Sequence, residues 1–384
     1  MSSNFKVLQV IPKLGYGGAE TGCYDVAHYL AEKKCKSYII TSGGPLLKFI
    51  RKNKVKVFRL PVGSKNPILI LLNTILISLI IIFFRIDIVH ARSRAPAWSC
   101  FISCIITRTK FVTTFHGIYN FSNSIKKLYN SVMVRSNLII AGSNYVFNHI
   151  HKNYGNLINA RKRLLVIFRG INTQYFDNSN ITNDKVQNFY SSLNLSSERF
   201  KILLPGRLTR WKGQEIFIES LNLLKTKYNK ENFQAIILGS HQGRKVYFKK
   251  LISAVERHKL KKEVFFIEHL KEMPVAYYVS DVVVSSSIEP EAFGRVSVEA
   301  QAMRRPILAS NHGGSKETIV DGKSGFFFEN NNPESLAENL NKLMEMDKDK
   351  LQSIGNEGRK NILKKFDVEQ MCYSTFLEYK KLVK

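Results

Sequence analysis

Short runs of β-branched residues alternate along nearly the whole chain with longer stretches of helical periodicity, and that alternation leaves few folds open. Parallel strands need a crossover of about a dozen residues or more, and a helix is the usual crossover. In the first half the strand-like runs are Lys6 to Ile11, Ser37 to Thr41, Lys56 to Leu60, Ile86 to His90, Lys110 to Phe115, Leu138 to Gly142 and Leu164 to Phe168. Helical stretches lie between them at Glu20 to Lys33, Ile68 to Phe84 and Ser143 to Tyr154. The rhythm lapses from Asp177 to Phe200, which reads as a linker or surface helix at a domain junction. It resumes with Phe200 to Pro205, Phe233 to Leu238, Val264 to Ile267, Val282 to Ser285, Ile307 to Ala309 and Gly325 to Phe328. After Pro333 the chain is helical and charged, with Leu336, Leu340, Leu343 and Met344 at helical spacing. A final helix, Val368 to Lys384, has no strand to follow, and docking back on the first domain is an economical place for it. The expectation is an α/β protein with doubly wound domains at 1–180 and 181–365, and residues 366–384 returning to the first; the 384-residue length suits two domains.

Charge is the next constraint. Residues 1–170 hold 25 Lys and Arg against Glu20, Asp25, Glu32 and Asp87, a net +21, while the remaining residues carry only +7 of the total +28. An anionic partner is implied, and it belongs to the first half. The five cysteines (Cys23, Cys35, Cys100, Cys104 and Cys372) lack paired CxxC spacing, which argues against a disulfide framework or structural zinc and for a reducing compartment. Lys6 to Pro12 reads as a first strand, not a secretory leader. Ile68 to Phe84 is interrupted only by Asn73, Thr74 and Ser78, just short of the ~20 apolar residues a membrane span needs. It reads first as a helix buried between sheet and neighbours, with an in-plane membrane contact and a true span as alternatives.

Three clusters can carry chemistry. Gly15-Tyr-Gly17-Gly18-Ala-Glu20 follows the first strand and opens a helix, where glycines let amides approach a phosphate. It is not the dinucleotide fingerprint, because Glu20 stands where the third glycine belongs. Gly206-Arg207 to Lys212-Gly213 follows the first strand of the second series, and a guanidinium and an ammonium five residues apart can clamp a diphosphate. Glu291-Ala-Phe293-Gly294-Arg295-Val296 leads on to Glu299, placing one carboxylate at a loop mouth and another about two turns away inside the following helix.

Together these clusters make the sequence resemble the GT-B glycosyltransferases of the large retaining family 4, the group 1 type, over nearly the whole chain. The resemblance includes Gly17-Gly18-Ala-Glu20, Asp87-Ile-Val-His90, Phe115-His116-Gly117, Gly206-Arg207-Leu208, Lys212-Gly213, Gly239, the element from Glu291 to Glu299, and Gly313-Gly314-Ser-Lys-Glu317. It implies a nucleotide-sugar donor, UDP-, GDP- or ADP-linked, held in a cleft between two Rossmann-like domains. It further implies that Arg207 and Lys212 neutralise the diphosphate while amides at Gly17 and Gly18 close on it. Glu291 would bind donor-sugar hydroxyls with the amides of Phe293, Gly294, Arg295 and Val296 alongside, and Glu299 would hold the ribose. His116 would approach the donor sugar, with Glu291 the catalytic pair, and His269 and Leu270 would lie beside the base. Departures are Ala292, where many members carry glycine, and Glu289, a second carboxylate without the family spacing.

Rival signals fail on inspection. Gly322-Lys323-Ser324 ends like a P-loop, but Glu317 occupies the first glycine position. Asp347-Lys348-Asp349 has the D-x-D form of metal-dependent transferases but sits in a lysine-rich turn, and His149 and His151 fall on different sides of a helix. No metal and no cofactor beyond the donor are expected. A GT-B epimerase, a phosphorylase and a basic nucleic-acid binder are the rival readings; no nucleic-acid module is present, so nucleic acid is not the expected partner. The expected acceptor is a glycan or lipid-linked glycan of the lipopolysaccharide, capsule or exopolysaccharide kind. The expected location is cytoplasmic, peripheral at the anionic inner face of the cytoplasmic membrane.

Overall fold

The structure, a computed structural model, describes residues 5–159 and 162–384. Its strands are β1 (Lys6–Val10), β2 (Lys36–Thr41), β3 (Val55–Arg59), β4 (Ile88–Ala91), β5 (Lys110–Phe115), β6 (Leu138–Ala141) and β7 (Arg163–Val166), followed by β8 (Phe200–Pro205), β9 (Phe233–Leu238), β10 (Val264–Ile267), β11 (Val282–Ser285), β12 (Ile307–Ser310) and β13 (Gly325–Phe328). The first seven form one all-parallel sheet in the order β3-β2-β1-β4-β5-β6-β7, and the other six a second in the order β10-β9-β8-β11-β12-β13. Both are doubly wound. The direction of winding reverses between β1 and β4 in one sheet and between β8 and β11 in the other, which is where such sheets bind ligands, outside the carboxyl ends of the strands.

Every strand read from the sequence is present, the central ones because strands covered on both faces are continuous apolar runs. In the second sheet β9 is buried at every position, and its residues join Phe217, Leu221 and Leu340 in one core. The first compact unit runs to Gly170 and takes in Val368–Lys384; the second is Ile171–Asp367. The division falls before the composition-poor stretch, not inside it, because Arg359 gathers the carbonyls of Thr173 and Phe176 and the Asp177 carboxylate. The last helix, Val368–Leu382, belongs to the first unit: Phe376 stacks on Phe5 with ring centroids 5.8 Å apart, and the Tyr379 hydroxyl meets Nδ1 of His90. Asp347 is an N-cap whose carboxylate accepts from the Lys350 amide at 2.6 Å, which accounts for the D-x-D sequence as a helix start.

Two helices depart from expectation. Arg94–Thr107, absent from the sequence reading, runs beside Pro67–Phe84. Pro67–Phe84 itself is not a core helix. Its buried residues are Asn73, Thr74, Ile77, Ser78 and Ile81, while Ile68, Leu71, Ile75, Leu79, Ile82 and Phe83 stand exposed. The reason lies in the neighbour: Ser99 Oγ donates to the Ile70 carbonyl at 3.0 Å and Ser103 Oγ to the Thr74 carbonyl at 2.9 Å, so the small polar face packs inward. The helix is long and apolar enough to cross a membrane, but it is the crossover between β3 and β4 of this sheet.

Candidate functional site

In the second unit the loops after β8 and β11, neighbours across the switch point, are pinned to each other. The Ile288 amide donates to the Trp211 carbonyl at 2.8 Å, and Ser286 Oγ is shared between the carbonyls of Lys212 and Gly213 at 3.1 and 3.0 Å. Gly213 is required here. Its φ is +70°, and an added Cβ would lie 1.8 Å from the Ser286 carbonyl oxygen. This closeness delivers Lys212 Nζ to Glu291, forming a partly buried ion pair, and Ser287 Oγ donates to the same Glu291 oxygen at 2.7 Å. The Lys212 ammonium also sits over the Trp211 ring, 4.5 Å from its centroid. Arg207 is exposed one step along the same loop, whose course is set by Gln214 Nε2 donating to the Arg207 carbonyl at 2.9 Å.

Behind Glu291 its backbone carbonyl accepts from the Gly314 amide at 2.7 Å, and His312 Nε2 donates to the Ser287 carbonyl at 2.8 Å. The glycine-rich Gly313-Gly314 segment thus braces the loop. Phe293 is buried against Phe366, with ring centroids 5.7 Å apart, and Gly294 caps the helix Arg295–Ala302, whose first-turn amides of Arg295 and Val296 open the helix beside Glu291. Glu299 is buried within that helix with both oxygens engaged: Arg295 Nε donates to one at 2.5 Å and the Tyr277 hydroxyl to the other at 2.7 Å. Burial, then the Glu299 charge, push the Tyr277 phenol well up, so it remains a donor. Each Glu299 oxygen keeps a lone pair for another donor. His269 and Leu270 follow β10 at the same carboxyl edge but two strands away from β8, His269 exposed and Leu270 partly buried. A cavity of about 890 Å³ flanks this arrangement, lined by Trp211, Tyr247, Ile288 and Glu289, with Lys212 and Glu291 outside it.

In the first unit the corresponding edge is built differently. Gly17 is the N-cap of the helix Gly18–Glu32, and an added Cβ on Gly18 would lie 2.1 Å from Nη2 of Arg169. The missing side chain therefore makes room for a guanidinium that arrives from beyond β7. Arg92, buried directly after β4, donates from Nε at 2.9 Å and from Nη2 at 2.5 Å to the Gln9 side-chain oxygen. His116 follows β5 with both ring nitrogens buried and, among the described residues, without a hydrogen-bond partner. Burial, then the charges of Arg169 and Arg92, hold its pKa well below the ordinary histidine value, so the ring is neutral. A buried polar group with no partner marks a place a ligand can complete. Arg92 and Arg169 escaped the sequence reading; the available signal was an arginine next to a strand end, twice in one sheet.

Residues 186–361 match the family described as glycosyl transferases group 1, and residues 16–175 match glycosyltransferase family 4. A glycosyltransferase from Rickettsia africae ESF-5 is 36% identical, with 100% of this chain and 99% of that one covered at a TM-score of 0.91. The structure of Anabaena Alr3699/HepE in complex with UDP and glucose shares the fold at a TM-score of 0.83 and 22% identity, over 98% of this chain and 100% of that one. The capsular polysaccharide biosynthesis glycosyltransferase CapM of Staphylococcus aureus is 28% identical over 229 residues, 58% of each chain.

Proposed function

The chain belongs to the group 1 glycosyl transferases, with the GT-B fold, and from that premise we propose that it moves a hexosyl group from a nucleotide sugar to an acceptor hydroxyl with retention of anomeric configuration. The observation that carries this reading is the Lys212–Glu291 pair at the switch point of the second sheet, beside Arg207. Breaking the anomeric C–O bond places positive charge on the sugar and negative charge on the departing diphosphate. A cation and a carboxylate side by side can each meet one part of the donor: Lys212 and Arg207 the leaving phosphates, and Glu291 the sugar hydroxyls. Preorganised charges of this kind act without reorganising at the moment of reaction.

In this proposal the cationic side chains carry the leaving-group charge, and transfer persists in a chelator. Glu291 binds and stabilises, and the acceptor attacks from the face the leaving group vacates. Amides of Phe293, Gly294, Arg295 and Val296 lie along the sugar, Glu299 takes the ribose hydroxyls, and His269 and Leu270 flank the base. Gly17 and Gly18, with Arg169 beside them, make a turn suited to phosphate oxygens, and neutral His116 has nitrogens free to meet a sugar hydroxyl. The complex of HepE with UDP and glucose supports starting with a uridine donor. CapM supports a cell-surface glycan as the product, and the +21 of residues 1–170 supports an acceptor at the inner face of the cytoplasmic membrane.

The test is a panel of UDP-, GDP- and ADP-sugars read by thermal shift and by nucleotide release with and without added glycan acceptors. A donor at ~100 times its Kd stabilises by about 2.7 kcal/mol. One nucleotide class should shift the melting temperature and be consumed faster with acceptor; no shift from any of them defeats the reading.

A further inference from the structure

The helix Pro67–Phe84 is built inside out. Its hydroxyl and amide side chains are turned inward: Asn73 Nδ2 donates to the Pro61 carbonyl at 3.2 Å, and Thr74 and Ser78 bond back to their own helix at 2.9 and 2.8 Å. The outward face is aliphatic and aromatic along its full length, reaching 76% exposure at Ile68 and 80% at Phe83. The adjacent helix Arg94–Thr107 continues that face with Ile102, Ile105 and Ile106, spaced for one side of a helix and all exposed. The hydroxyl contacts pair Ser99 with Ile70 and Ser103 with Thr74, so the two helices run parallel at a constant offset and present one apolar surface. Soluble monomers rarely leave an apolar patch of this extent uncovered.

The rim identifies what covers it. Neither helix contains an acidic residue. Lys65 precedes the first helix, and Arg85 and Arg108 follow the carboxyl ends of the two helices, all exposed. The ammonium of Lys56, an exposed residue, lies over the Phe84 ring, 4.4 Å from its centroid. Farther along, Trp98 Nε1 donates to the Tyr129 carbonyl at 3.1 Å, tying on the helix Ser124–Ser131 with exposed Ile125, Lys126, Lys127 and Leu128. Of the few acids in this half, Glu32 is engaged by Arg51 at 3.3 Å and Asp87 accepts from the Lys6 amide at 2.7 Å. A second copy of this face would set like charges against each other. A leaflet of anionic lipid answers both the apolar centre and the basic rim.

We infer that the paired helices Pro67–Phe84 and Arg94–Thr107 lie flat in an anionic bilayer leaflet, with Ile75, Leu79, Ile82 and Phe83 among the acyl chains and Lys65, Arg85 and Arg108 at the headgroups. Spanning is excluded by connectivity, since Pro67–Phe84 is the crossover between β3 and β4, and Lys6 Nζ holds its last carbonyl at 2.9 Å. This deepens the membrane placement proposed above and rests on it for the source of the lipid; the transfer chemistry is separate.

The experiment is flotation of the full chain with phosphatidylcholine vesicles, with and without ~30 mol% phosphatidylglycerol, at low and high salt. Wild type should float with the anionic vesicles and retain part of its binding at high salt. The variant Leu79→Gln/Phe83→Gln should partition at least ~10-fold less at both salt levels, as expected for acyl-chain insertion. Its melting temperature and its thermal shift with UDP should stay at the wild-type values. A tryptophan introduced as Ile75→Trp should be quenched by lipids brominated near the headgroup more than by those brominated at the chain end. Unchanged flotation of the double variant overturns the inference, as does a wild-type dimer that the same substitutions dissociate. Vesicle binding without any UDP shift would sink the donor assignment and leave this inference standing.

Discussion

The two units share a strand order and differ in almost everything the order leaves free. At the carboxyl edge of the second sheet, cations meet anions: Lys212 with Glu291, Arg295 with Glu299. At the edge of the first, Arg92 is buried against the neutral Gln9 amide, and His116 beside it is neutral. The helix layers differ too. The second unit packs Phe217, Leu221, Leu224, Leu336 and Leu340 into a single core, whereas the first turns a row of isoleucines and leucines outward. One topology therefore supports a charge-paired site in one unit and, in the other, a cationic edge with an uncovered apolar flank. Fold alone dictated neither.

The strongest way to break this contrast is to remove the pair. Lys212→Ala and Glu291→Gln should each lower turnover by ~10²–10³, the cost typical of losing one preorganised charge, with circular dichroism unchanged. Near-normal turnover in either would move the chemistry elsewhere. Acid should next separate the two units. His90 and His116 are held well below the usual 6.5, chiefly by burial, with Arg92 acting on both. Their unfolded rings take up protons near pH 6.5 while the folded rings do not, so the stability they contribute is full above that pH and falls as pH drops toward the depressed values. The expected loss is roughly 1 kcal/mol per pH unit for each histidine, seen as early melting of the first unit below pH 6.5. A melting profile identical at pH 5 and 7.5 contradicts the assignment.

A smaller effect probes the first unit's cations. Gly18→Val drives a side chain into the Arg169 guanidinium and should weaken donor binding by ~10-fold, about 1.4 kcal/mol, measured by titration calorimetry. Unaltered affinity would mean that the guanidinium serves only the fold. Smallest is Asp347→Ala in the second unit, which removes an N-cap and should cost ~1 kcal/mol of stability, with no change in turnover in either chelator or added divalent metal. A metal-dependent change there would turn the cap back into a metal motif.

Much of this was legible beforehand, for identifiable reasons. The central strands were read because each is an apolar run covered on both faces, and the partly exposed edge strands β3 and β7 because they keep short β-branched or aliphatic runs. The loops of Gly206 to Gly213 and Glu291 to Glu299 were read because their residues are close in sequence as well as in space. Arg94–Thr107 was not, since its buried positions are Pro96, Ala97, Ser99, Cys100, Ser103 and Cys104 and its exposed ones isoleucine, the reverse of the usual helical pattern. Ile68 to Phe84 reads first as a core helix, ahead of a membrane contact, for the same reason: composition measures how apolar a helix is, not which way it faces. Arg169 was missed because the glycines it packs against, Gly18 and Gly142, come from β1 and β6 loops far from it in sequence.

The sequence by itself determined that two parallel sheets form, how their strands are spaced and which loops carry glycine, lysine and glutamate, because those properties reside in local runs of side chains. Only the tertiary structure decided that Lys212 reaches Glu291 across β8 and β11, that Arg169 fills the space left by Gly18, and that an apolar helix faces outward. Each of those depends on which elements the sheet order makes neighbours, and a neighbour contributed by another crossover is invisible to any window along the chain.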